Sequence, residues 1–267
     1  MLVVAVVAAA CYPSVAQKPA GAPGAAVQRV SAPRGGESAT AWTWYRTPAR
    51  TSGRNLTFGV HRTRVADPRG ATLLIVPGGH GWQFAHLTLA KLYASRGWDV
   101  AVGCYFVNPQ GMDCWNAPAP TGQSGAAQQE LSALVRAVRL VVKQPVGIVG
   151  HSRGAGVAAL RAARGYGEPI VAVSGPLTQR MIWGHPGDRY PFYVVPRIDA
   201  PTYVWSAADD PMTPPPRQSD WFVLAMQIYD QDVRYRVVPR GSHSFLFDGR
   251  LGKQFVDATT NWFAANL

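Results

Sequence analysis

Two hydrophobic patterns alternate along most of the chain. Short, almost wholly apolar runs that end near glycine or alanine are separated by segments whose apolar residues recur at helical spacing. The first pattern reads as strands buried on both faces, the second as amphipathic helices. Two segments precede the series, "TAWTWYRT" and "NLTFGVHRTRV", and read as an opening strand pair closed by the turn signal "ADPRG". Strand "ATLLIVPGGHG" follows, then helix "AHLTLAKLYASRG" with Gly97 as its C-cap, strand "WDVAVGCYFV", a loop, and helix "SGAAQQELSALVRAVRLVVK". The series continues with strand "PVGIVG", helix "AGVAALRAARG", strand "PIVAVSG", an irregular insert and strand "APTYVWSA". It ends with a helix within "PPRQSDWFVLAMQIY", strand "DVRYRVVPR" and a helix from about Gly249 to Ala265.

Strands alternating with helices predict an α/β fold: a mostly parallel central sheet with helices on both faces and a short cap insert, as one domain over residues 38–267. Crossovers of one hand bring the C-terminal ends of the parallel strands to one edge, where sites form.

The first residues break this pattern. "MLVVAVVAAACYPSVAQ" is apolar from Leu2 to Ala10 and then turns to small residues, which predicts an export signal over residues 1–16 cleaved after Ala16. A Pro/Ala/Gly-rich linker over residues 17–37 comes next. No apolar run reaches the roughly 18–20 residues of a membrane span. The expected location is secreted or periplasmic, with a lipid anchor on Cys11 as the variant. Cleavage leaves Cys104 and Cys114, and in an oxidising compartment their simplest fate is one disulfide closing a short loop, worth about 3 kcal/mol.

Composition narrows the function classes. With 47% hydrophobic and 15% charged residues over 267 positions, the chain can bury a sizeable core. The net charge of +11 comes mostly from scattered arginines. No basic run interleaved with aromatics marks a nucleic-acid groove, so a solvated basic surface and no nucleic-acid partner are expected. No cysteine or histidine spacing predicts a metal or an organic cofactor.

The chemistry lies in four loops. Gly150-His151-Ser152-Arg153-Gly154 fits G-x-S-x-G, a weak match alone, but it falls between a buried strand and a helix. A sharp turn there holds the serine strained with Oγ exposed, and the two glycines let strand and helix approach. A serine hydroxyl needs a base, itself oriented by a carboxylate. His151 adjoins Ser152, but neighbouring side chains on a tight turn diverge, so it is expected to pack beneath the turn. His243 in "RGSHSFLF" follows the last strand and is the expected base. In "VWSAADDPMTP" either Asp209 or Asp210 follows a buried strand; Asp210 is preferred because the loop turn comes immediately after it. Acyl transfer also needs donors for a developing oxyanion. The backbone N–H of Arg153 is one candidate, and Gly79 in "VPGGHGW" is the other, with His80 as fallback. Trp82, His80 and Trp183 are candidate substrate-contacting residues, and the insert's aromatics line a pocket or form its own core.

On "VPGGHGW", "GHSRGAG", "SAADDPMTP" and "GSHSF" the chain resembles the α/β-hydrolase superfamily of serine hydrolases, esterase- or lipase-like, across almost all of its mature length. It differs from the His-Gly-Gly-Gly esterase loop in having Pro77 where a histidine is common. The resemblance implies a Ser152–Asp210–His243 triad, an oxyanion hole near Gly79 and Arg153, and two-step acyl transfer without cofactor or metal. The expected substrate is a small-molecule or polymeric carboxylic ester, and the expected state a monomer. A serine peptidase or amidase uses the same triad, and a non-catalytic binding protein on this fold is the remaining alternative.

Overall fold

The structure, a computed structural model, describes residues 26–33, 41–49, 54–79, 81–104, 124–178 and 190–267. Among these residues nine strands form one sheet: β1 (Gln28–Val30), β2 (Trp42–Ala49), β3 (Arg54–His61), β4 (Thr72–Val76), β5 (Asp99–Gly103), β6 (Val146–His151), β7 (Ile170–Val173), β8 (Thr202–Ala207) and β9 (Val233–Val238). Five α-helices accompany them: α1 (Phe84–Ala94), α2 (Ser124–Val142), α3 (Arg153–Ala162), α4 (Ser219–Ile228) and α5 (Gly249–Asn266). The strand order is β1-β2-β3-β5-β4-β6-β7-β8-β9. β1, β2 and β3 run antiparallel at one edge, and the six strands from β5 to β9 run parallel. The expected α/β architecture is therefore present, and both strands of the opening pair lie in the same sheet.

The apolar runs became the inner strands for the expected reason. β4, β5, β6 and β7 are buried at every position, as strands covered on both faces must be. Helices α1 and α5 pack together, and α2 packs on α3. The face that each pair covers is visible in two contacts: a Cβ on Gly147 of β6 would meet Phe263 of α5, and one on Gly103 of β5 would meet Leu134 of α2. At the sheet's edge β9 alternates instead, with Arg234 and Arg236 exposed. Charges on an edge strand discourage pairing with another chain.

Two details depart from the sequence reading. The stretch read as linker contains β1, whose residues Gln28 to Val30 pair with Arg46 to Trp44 of β2. The insert contributes a 3-10 helix, Pro191–Arg197, and its residues 179–189 lie outside the described residues, as do residues 1–25 with the expected leader. Gly97 sits three residues past α1 with φ +93°, the left-handed turn expected of a helix stop.

Register decides what the parallel strands bring together. Val76 pairs with Gly150, His151 with Val173, Val173 with Trp205, and Ala207 with Val238. The loops that follow β4, β6, β8 and β9 therefore leave the sheet at one edge. No helix among the described residues is long and apolar enough to cross a membrane.

Candidate active site

Ser152 joins β6 to α3 with φ +53° and ψ −123°, a conformation that a residue with a Cβ adopts only when its surroundings impose it. The Ser152 N–H donates to the Val173 carbonyl at 2.8 Å, and the Ala155 N–H donates to the Ser152 carbonyl at 3.0 Å, which pins the turn from both sides. The flanking glycines permit the close approach that this needs. A Cβ on Gly150 would lie 2.7 Å from the Gly154 carbonyl oxygen, and one on Gly154 would lie 2.4 Å from that of Val76.

His243 follows β9 and points both ring nitrogens into the site. Its Nε2 is 2.8 Å from Ser152 Oγ and its Nδ1 is 2.9 Å from Asp210 Oδ2. A carboxylate only accepts, so Nδ1 carries the proton and Nε2 accepts from the serine hydroxyl. Asp210 is 2% exposed while Asp209 is on the surface. The backbone N–H groups of Met212 and Thr213 donate to Asp210 Oδ1 at 2.8 and 3.0 Å, and the Thr213 hydroxyl donates to Oδ2 at 2.6 Å. Burial alone would raise the Asp210 pKa. The hydrogen bonds from His243 and Thr213 outweigh it and hold the carboxyl well below its usual range. Of the two aspartates, Asp210 is the one whose side chain turns inward to His243. Thr213, part of the same motif, had been given no role by the sequence.

The loop after β4 packs directly on the nucleophile. A Cβ on Gly78 would lie 2.8 Å from Ser152 Cβ and 3.3 Å from its Oγ. The Gly81 N–H donates to the Gly78 carbonyl at 3.3 Å and closes a turn around buried Gly79. Gly78, next to Gly79 in the loop after β4, and Arg153, the first residue of α3, thus both adjoin the same serine. The Arg153 side chain is buried.

Other expectations end differently. Trp82 lies in the core: it is 1% exposed and meets Trp44 of β2 edge-on, with ring centroids 4.7 Å apart. The opening strand pair supplies that apolar neighbour, and burying the indole against it removes the ring from solvent. His80, Trp183, Cys11 and Cys114 lie outside the described residues, and Cys104 is buried just past β5. Of the insert's aromatics, Phe192 packs against the core and Tyr193 is 69% exposed. His151 is buried as expected, but its contacts reach further than sequence reasoning foresaw. No group of three or more metal-ligating side chains occurs among the described residues.

Comparison with known proteins gives a fold and no close relative. No family model and no curated protein matches the chain. Solved structures do. A carboxyl esterase from Bacillus coagulans superposes with a TM-score of 0.68 at 11% identity, over 85% of this chain and 99% of that one. A candidate dienelactone hydrolase from Klebsiella pneumoniae gives 0.67 at 17% identity, over 84% and 99%. An acylaminoacyl peptidase from Pyrococcus horikoshii gives 0.63 at 13% identity; it matches 80% of this chain, which covers only 40% of the peptidase. The chain has the α/β-hydrolase fold.

Proposed function

We propose that this chain is a serine hydrolase that cleaves carboxylic esters through an acyl-enzyme on Ser152. One observation carries the reading: the unbroken hydrogen-bond chain Ser152–His243–Asp210 at the edge where four loops meet. The fold shared with a carboxyl esterase supports it.

His243 Nε2 takes the Ser152 proton as Oγ attacks the substrate carbonyl carbon. The imidazolium so formed is stabilised by buried Asp210, which keeps the ring in the tautomer needed for attack. The N–H groups of Gly79 and Arg153 stabilise the oxyanion, a contribution of about 3–4 kcal/mol per donor in related chemistry. His243 then protonates the leaving alcohol, and water repeats the sequence to release the acid. No metal or organic cofactor enters this scheme. The same groups cleave amides, and the shared fold with an acylaminoacyl peptidase supports that second reading. Export through residues 1–16 and a Cys104–Cys114 disulfide belong to the same proposal, as does a monomeric state.

The test is covalent labelling with a fluorophosphonate, together with hydrolysis of short- and long-chain p-nitrophenyl esters and a peptide anilide. The wild type should label once, at Ser152, and prefer esters. Labelling that persists in Ser152→Ala overturns the nucleophile, and faster anilide than ester cleavage overturns the ester preference.

A further inference from the structure

His151 is the last residue of β6, one position before Ser152, and its ring is buried. Its Nε2 lies 3.1 Å from the backbone carbonyl oxygen of His243. A carbonyl only accepts, so Nε2 carries the proton and donates. Nδ1 is then a bare acceptor, and it has no hydrogen-bond partner. Burying a polar ring with one nitrogen unsatisfied costs stability that a phenyl ring in the same space would not. The bond to His243 is what a histidine adds at this position.

That bond has a consequence for geometry. Residues 151 and 152 are joined to His243 twice: through His151 Nε2 to the carbonyl, and through Ser152 Oγ to the ring Nε2 at 2.8 Å. The two bonds close a small ring between the strand that carries the nucleophile and the loop that carries the base. A shift of that loop must break both. Phe247 backs the arrangement, its ring centroid 5.2 Å from that of His151 and 4.8 Å from that of buried His86 on α1.

We propose that His151 is a positioning residue, whose Nε2–H sets the register between the His243 loop and Ser152. The inference rests on the serine-hydrolase reading above. The titratable groups around His151 are His86, His243 and Asp210. Burial, then the neighbouring His243, lowers the His151 pKa to about 4, so His243 forms its imidazolium beside a neutral ring.

The test compares His151→Gln, which keeps an N–H donor, with His151→Phe and His151→Met, which have none. Steady-state hydrolysis of a short-chain p-nitrophenyl ester, the rate of fluorophosphonate labelling and a thermal melt are read for each. Loss of register predicts kcat and labelling rate lower by roughly 10–100-fold in the Phe and Met variants, with KM little changed. His151→Gln should recover most of that loss, although its melting temperature need not exceed that of the Phe variant. Wild-type kcat in either folded donor-less variant overturns the role, as does equal loss in Gln and Phe. A wild type that fails to label at Ser152 overturns the underlying reading and this one with it. Labelling of wild type and His151→Phe at equal rates overturns only the role of His151.

Discussion

Gly154→Ala tests how tightly the helix that follows Ser152 is seated. Gly154 is the second residue of α3, and the added Cβ would lie 2.4 Å from the Val76 carbonyl oxygen and 2.7 Å from that of Pro77. The closer contact is roughly 1 Å inside van der Waals distance. Both atoms are backbone, so no side chain can rotate away, and α3 must move off the end of β4. Overpacking of this kind costs about 1–3 kcal/mol, and the rigidity of the contact argues for the upper end. Alanine recovers up to about 1 kcal/mol of helix propensity. The net loss is about 2 kcal/mol, or about 4–8 °C in melting temperature for a domain of this size. Activity should suffer more. The movement separates Arg153 from the Gly78–Gly79 loop, and a displacement of about 1 Å among reacting groups costs roughly 100-fold in rate. The assay is a thermal melt beside ester kinetics, with Gly249→Ala as control. A Cβ there meets nothing within 4 Å, at the first position of α5, and should leave both readouts unchanged or slightly raise stability. A Gly154→Ala protein with wild-type melting temperature and kcat refutes the packing argument.

Asp210→Asn should lower kcat by roughly 10³–10⁴-fold by favouring the wrong His243 tautomer, while exposed Asp209→Asn changes it less than about twofold; ester kinetics on both variants decide between them. Stability should fall steadily in acid. His86 and His151 are held neutral in the fold, lowered by burial to about 3 and about 4, whereas the unfolded chain takes up both protons near pH 6.5. The unfolded state thus binds more protons below pH 6.5, and each histidine removes up to about 1.4 kcal/mol per pH unit until its folded pKa is reached. The depressed Asp210 adds to the decline below about pH 4, since its contribution is complete above the unfolded carboxyl range and lost as pH falls. Urea midpoints measured from pH 7 to pH 4 check this, and a flat profile contradicts it. Arg161→Met removes the buried partner of Glu168, whose side chain is 2% exposed and accepts from Arg161 Nη2 at 2.9 Å, and leaves it the half-exposed Arg139 at 3.1 Å; the cost should fall below the roughly 3–5 kcal/mol of a fully stranded buried charge, and chemical denaturation reads the loss.

The order of elements and the loops that meet at the candidate site were legible in the sequence, because the signals are local. A strand covered on both faces must be apolar at every position, which is how β4, β5, β6 and β7 read. Gly150 and Gly154 announced a close approach of backbone to backbone, and the structure puts those backbones within 3 Å of any added Cβ. β1 was illegible because three residues in a Pro/Ala/Gly-rich stretch carry no periodicity; only pairing with β2 makes them a strand.

What remained undecided depends on contacts between distant segments. Asp209 and Asp210 are neighbours of equal chemistry, and only the turn closed by Thr213 and reached by His243 distinguishes them. Trp82 read as a pocket residue from its place beside the glycine loop, and Trp44, 38 positions earlier in the chain (82 − 44), draws it into the core instead. His151 shows the limit best. Its sequence position says only that it lies beneath the serine; the bond to the carbonyl of His243, 92 residues away, exists because parallel pairing brings the ends of β6 and β9 to one edge. Local periodicity determines which elements form, since burial acts on each one separately. Register across the sheet decides which side chains meet, since that is set by all the strands at once.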